Sequence, residues 1–121
     1  MERIVKGTAE MFNATAELNY RFISPPVINE AGSSKIAAGA AAKIMGEDAV
    51  VTESMTTGGE DFSNYIETKP GCFALLGSAD PAKGTDFPHH SAQFNVDEDV
   101  LPYGAGLYAQ YALDFLAGGA V

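Results

Sequence analysis

Two adjacent histidines and a short glycine-acid run are the residues of this chain best suited to chemistry. His89 and His90 lie in a stretch with no apolar periodicity of its own. Neutral imidazole is the commonest transition-metal ligand among side chains. Two neighbouring histidines do not comfortably share one metal, so a site here needs further ligands. The local candidates are carboxylates: Glu60, Asp61, Asp97 and Glu98. The chain has no HExxH, no CxxC and no third histidine, so its spacing matches no self-sufficient zinc site. Solvated loop histidines are the alternative reading. The second run is Gly58-Gly59-Glu60-Asp61-Phe62. Between a strand and a helix start, two glycines let the backbone approach a ligand and turn its N–H groups outward. The positive end of the helix would suit a substrate carboxylate. A plain tight turn, with both acids in the first turn of the helix, explains the same residues. No Lys-Ser or Lys-Thr follows the glycines, so this is not a Walker phosphate loop.

These residues need elements to position them. Glu2–Phe12 reads as a helix, with Ile4, Val5, Thr8, Met11 and Phe12 on one face and Asn13 as its stop. Residues 16–23 alternate, with Leu18, Tyr20 and Phe22 opposite Glu17, Asn19 and Arg21, as in a half-buried strand. Pro25-Pro26 ends that strand, and residues 25–32 read as a linker. A helix capped by Ser33 or Ser34 runs to about Met45, with Ile36, Ala40 and Ile44 on one face and Gly46 as its end. Residues 49–52 and 72–76 read as short buried strands, and 61–68 as a short helix. Residues 78–97 form a long connection that carries both histidines; loops of that length in compact domains are usually functional or disordered. Asp97-Glu98-Asp99 then serves as N-cap and first-turn acids of a last helix, 99–117. Its core stripe is Leu101, Ala105, Tyr108, Tyr111, Ala112 and Phe115, and residues 118–121 form a tail. The alternation of strands and helices predicts an α/β parallel sheet over 33–117.

Composition narrows the function classes. Hydrophobic residues make up 46% of the 121, a globular composition. The net charge of −9, with seven scattered Lys and Arg, argues against nucleic acid and anionic membrane as partners. The apolar stretch 100–109 contains Pro102, Gly104 and Gly106 and is too short to span a membrane. A single cysteine, Cys72, excludes a disulfide within the chain and suits a reducing, cytoplasmic compartment. Beside Phe73 in an apolar run, that thiol reads as inert packing.

The order of short segments carries a resemblance. It begins with Pro25-Pro26-Val27-Ile28-Asn29 and continues with Gly58-Gly59-Glu60-Asp61-Phe62. The turn Pro70-Gly71 and Leu75-Leu76-Gly77 follow. Then come His90-Ser91, Phe94, Asp97-Glu98 and Leu101-Pro102-Tyr103-Gly104. In this order they resemble the C-terminal part of the metal-dependent N-acyl-amino-acid amidohydrolases, among them aminoacylases, hippurate hydrolases and auxin-conjugate hydrolases. The resemblance implies a zinc-peptidase-like α/β catalytic domain with parallel strands and flanking helices. It implies a pair of divalent metals, zinc or manganese, and an α+β lid domain that dimerises the complete enzyme. Residues 1–24 would be the last helix and strand of the lid, 25–32 a linker, and 33–121 the C-terminal part of the catalytic domain.

By the same resemblance His90, directly before Ser91, is a metal ligand, and His89 takes no such role. Ala92 stands where the family often has proline. Gly58 and Gly59 line the substrate cleft, with Glu60 and Asp61 in supporting positions. The family's Cys-Gly-His-Asp and Glu-Glu segments, its other ligand histidine and its glutamate general base have no counterpart here. No catalytic residue is therefore assigned. The expectation is one part of an enzyme that cleaves the amide bond of N-acyl amino acids or small peptides, inactive alone. A non-catalytic binding module derived from the same fold is the alternative.

Overall fold

The computed structural model describes residues 1–52 and 55–118. Among them the regular elements are four α-helices and three single 3-10 turns: α1 (Glu2–Met11), α2 (Ala31–Met45), α3 (Ser63–Ile66) and α4 (Leu101–Leu116), with the turns at Glu47–Ala49, Pro81–Lys83 and Glu98–Val100. Residues 119–121, part of the expected tail, lie outside the described residues.

The core is the packing of α2 on α4. Ala40 is completely buried and Ile36 nearly so, one helical turn apart on the face that the spacing predicts. Small residues dominate α2, which lets the helices approach closely. Gly106 of α4 faces Ile44, so that a Cβ at 106 would meet Ile44 Cγ2 at 3.4 Å. At the edge of this contact Lys43 Nζ donates to Asp114 Oδ1 at 2.5 Å, and Gln110 Nε2 donates to the same oxygen at 2.9 Å. These donors hold the Asp114 carboxyl below its ordinary range, Lys43 contributing most.

α2 starts earlier than the serines suggest. Its N-cap is Glu30, whose carboxylate accepts from Gly32 N at 2.7 Å and Ser33 N at 2.6 Å. Ser33 and Ser34 lie inside the first turn, where Ser34 Oγ donates back to Glu30 O. The two backbone N–H donors lower the Glu30 pKa, because they favour the charged acceptor. Gly46 ends α2 with φ of 90°, a conformation open to glycine.

No strand ladder forms among the described residues: neither the lone strand expected at 16–23 nor the two expected at 49–52 and 72–76, which would build the parallel sheet of 33–117, is seen. A strand exists only as a paired state, and none of the three segments finds a neighbour in register. Residues 49–52 begin instead inside the 3-10 turn. The run 72–76 is not buried on both faces: Leu75 is 71% exposed. One partial substitute for a ladder exists. The Asn29 side-chain amide imitates a peptide group, donating to Phe73 O at 2.9 Å and accepting from Phe73 N at 2.8 Å. Beside it, Glu30 N donates to Gly71 O at 2.9 Å. These bonds tie the entry of α2 to the Pro70-Gly71 turn. The turn needs glycine at 71, since a Cβ there would stand 2.6 Å from Ile66 Cγ2.

α4 also departs from its predicted stripe. Tyr108 is 83% exposed, and Leu101 and Phe115 are exposed as well. The half-buried positions are Gly104, Gly106, Leu107, Gln110, Tyr111 and Asp114. The helix is apolar nearly all round, so hydrophobicity alone does not choose a face; its glycines mark the close contacts, Gly106 with Ile44 of α2 and Gly104 with Leu76. α1 matches its predicted span, but it packs against no other helix, and Ile4, Met11 and Phe12 on its apolar face are exposed.

Candidate functional site

The 78–97 connection is ordered by its own hydrogen bonds. Asp97 N donates to Ser78 O at 3.0 Å and closes the two ends of the loop on each other. Thr85 is buried at the neck. Its Oγ1 accepts from Asp80 N at 2.9 Å and lies 3.3 Å from the carbonyls of Ser78 and Asp80. Asp80 caps the Pro81–Lys83 turn by accepting from Ala82 N, and Gly84, with φ of 68°, ends it.

The histidines are the two central residues of the first of two successive turns in this loop. Ser91 N donates to Pro88 O at 3.2 Å, and Phe94 N donates to Ser91 O at 3.1 Å. Ser91 Oγ accepts from Gln93 N. The turns separate the two imidazoles. The His89 ring packs on Phe94 with centroids 4.7 Å apart. His90 takes a left-handed backbone, φ 66°, and is exposed. That conformation costs a residue with a Cβ about 1 kcal/mol or more, and histidine is among the residues enriched there. Phe94, three places after Ser91 in the sequence, holds the neighbouring His89 ring in a tilted contact, the two planes 44° apart.

Of Asp97, Glu98 and Asp99 only Asp97 caps, and it caps the 3-10 turn Glu98–Val100; α4 itself starts at Leu101, after Val100, with no side-chain cap and no acid in its first turn, which corrects the expected start at 99. Asp97 Oδ1 accepts from Asp99 N at 3.1 Å at the start of the 3-10 turn that leads into α4. Lys83 was not singled out from the sequence. Its Nζ reaches Asp97 Oδ1 at 2.8 Å and Oδ2 at 2.9 Å, and it also contacts Asp99 Oδ2. The two carboxylates raise the Lys83 pKa, and Lys83 in turn lowers that of Asp97. A lysine fourteen residues from its acid partner leaves no periodic signal, because only loop closure brings them together.

The glycine-acid run lies elsewhere. Gly58, Gly59 and Asp61 are exposed and Glu60 is half-buried. The helix expected over 61–68 is only the single turn α3, so the helix-dipole argument for a carboxylate site fails here. Glu60 instead serves the turn itself. Its Oε1 accepts from Phe62 N at 3.2 Å, and its carbonyl accepts from Ser63 Oγ at 2.7 Å. Phe62 then packs on Tyr65 and Phe73. Gly59, Glu60 and Asp61 line one side of an open hollow of about 460 Å³, whose other side is residues 20–24. His90 is not among the lining residues. Among the described residues no group of three or more His, Cys, Asp and Glu is placed to hold a metal. Glu60 and Asp61 are thus not brought to His90 as co-ligands. The described residues close no metal site around His90.

Comparison with known proteins gives the geometry a context. The chain is 38% identical over 106 residues to IAA-amino acid hydrolase ILR1-like 2 of Arabidopsis thaliana, covering 86% of this chain and 24% of that protein. It is 33% identical over 117 residues to thermostable carboxypeptidase 1 of Saccharolobus solfataricus, covering 95% of this chain and 29% of the relative. It is 35% identical over 113 residues to the N-acetylcysteine deacetylase of Bacillus subtilis, covering 93% and 28%. The chain therefore spans about a quarter of the length of these curated relatives. No solved structure matches it. No described helix is long and apolar enough to cross a membrane. Residues 3–114 match the Peptidase family M20/M25/M40, and the chain belongs to that family of hydrolases.

Proposed function

We propose that this chain forms one part of a metal-dependent amidohydrolase that cleaves the amide bond of N-acyl amino acids, and that it contributes His90 as a metal ligand. The observation that carries the reading is the turn at 88–94, which occupies His89 with Phe94 and presents His90 to solvent on a left-handed backbone. The names of the relatives, an auxin-conjugate hydrolase and a deacetylase among them, support the substrate class. A pair of divalent ions, zinc or manganese, would polarise the amide carbonyl and activate water. The protein's own task here is to hold one imidazole in place.

Residues 33–121 belong, in this reading, to the catalytic domain. Residues 1–24 belong to a lid that dimerises the complete enzyme, with 25–32 as the linker. The isolation of α1 from the other helices supports that division. The exposed apolar residues on α1 and α4 support packing against parts of the enzyme outside this chain. Gly58, Gly59, Glu60 and Asp61 line part of the substrate cleft, and the hollow that Gly59, Glu60 and Asp61 share with residues 20–24 supports this. One half-buried cysteine suits a cytoplasmic enzyme.

Calorimetric titration of zinc and of manganese tests the ligand. The control is His90→Asn, because asparagine tolerates the left-handed backbone that alanine does not. The expected result is weak binding by the chain, lost in the variant, and no hydrolysis of N-acetyl amino acids by the chain alone. Submicromolar binding that survives His90→Asn would overturn the ligand assignment. Steady turnover by the purified chain would overturn the reading of a partial catalytic apparatus.

A further inference from the structure

We infer that Lys83 is a positioning residue for His90, acting by clamping the neck of the 78–97 loop against the start of α4. This rests on the reading of His90 as a ligand only for what the loop serves; the clamp itself stands on geometry. Three contacts converge at the neck. Asp97 N donates to Ser78 O. Buried Thr85 binds both Asp80 N and the neighbouring carbonyls. The Lys83 ammonium bridges Asp97 and Asp99, which stand at the 3-10 turn just before α4. Asp97 is engaged twice over, since Oδ1 also caps the turn at Asp99 N.

The hydrogen bonds alone would close the loop on itself. Lys83 does something they do not: it joins the loop's first turn to the helix that packs on α2. Residue 83 stands seven positions before His90, and Asp97 seven after it, so the clamp spans the tip symmetrically. A metal ligand must be held to within a fraction of an ångström, and a tip loop reaches that only when its neck cannot hinge. A single lysine–carboxylate pair at a surface contributes little, but here one ammonium meets three oxygens of two carboxylates, one of them half-buried and already committed as a cap.

Amide hydrogen exchange of the full chain, resolved by NMR, tests the clamp without any metal. In Lys83→Met the amides of Ser91 and Phe94 should exchange about fivefold faster, while those of Ile36 and Ala40 in α2 keep their protection. Lys83→Arg, which keeps the charge, should restore most of the protection. One molar salt should mimic Lys83→Met in the unsubstituted chain, since it screens an exposed pair. Unchanged exchange at Ser91 and Phe94 would overturn the inference. So would an equal rise in loop and α2, which would mark a general loss of stability. The outcome is independent of the zinc titration: His90→Asn can abolish binding with the clamp intact, and Lys83→Met can open the loop whether or not His90 binds metal.

Discussion

Adding carbon at two points of the α2–α4 contact should change stability in opposite directions. Gly106→Ala places a methyl 3.4 Å from Ile44 Cγ2 and 3.7 Å from Ile44 Cδ1. Those are ordinary van der Waals distances to side-chain carbons, with no foreign backbone atom among the nearest neighbours. The substitution removes the helix-interior penalty of glycine, about 1 kcal/mol relative to alanine. Each new carbon contact adds about 0.1–0.2 kcal/mol. The expected net is a stabilisation of about 1 kcal/mol. Ala40, on the facing helix, is 0% exposed. Ala40→Val adds two carbons to a filled space and stiffens χ1 in the helix, at a cost of about 1–3 kcal/mol. Urea unfolding followed by far-UV circular dichroism reads both. With a slope of about 1–3 kcal/mol per molar urea, Gly106→Ala should raise the midpoint by about 0.5 M and Ala40→Val should lower it by at least that much. Loss of stability in Gly106→Ala comparable to that in Ala40→Val would refute the reasoning, because it would place the helices closer together than Ile44 allows.

Two further substitutions probe the entry of α2. Glu30 has its pKa lowered by the N–H groups of Gly32 and Ser33. Its contribution is therefore complete above the ordinary carboxylate range and is lost as pH falls through the lowered folded value. Acid titration of helicity between about pH 5 and 2 should show that loss, and Glu30→Gln should remove this component while weakening α2 at neutral pH; an identical acid profile in the variant would count against the cap. Asn29→Asp keeps the acceptor for Phe73 N but turns a second oxygen, in place of an amide N–H, toward Phe73 O. It should cost about 1–2 kcal/mol in the same urea assay, and no shift of the midpoint would mean that the amide–peptide pairing does not form in solution.

The relation between sequence and fold differs from element to element for physical reasons. α1 and α2 were legible because a 3.6-residue period needs no distant partner. Ile36, Ala40 and Ile44 identify the buried face of α2 by spacing alone, and Gly46 marks its end. The N-cap was missed because Glu30 is longer than the usual cap residues and reaches two N–H groups only when the chain bends back at 30–33. The strands were not legible in the same way. Alternation at 16–23 and an apolar run at 72–76 describe segments able to pair, whereas pairing depends on what lies beside them. For Phe73 that neighbour is a side chain, Asn29, forty-four residues away.

For the candidate site, the sequence by itself determined the family, through the order of its short segments. It also marked Asp97 as a cap, although the turn it caps is the 3-10 turn before the last helix, since capping is a local matter of one side chain and the next few N–H groups. Only the tertiary structure decided that Phe94 takes the His89 ring and that Glu60 stays in its own turn. It alone decided that α4 presents Gly106 to α2, and that Lys83 joins the loop to the entry of α4. Each of these is set by loop closure or by helix packing, which bring together residues whose separation along the chain carries no period.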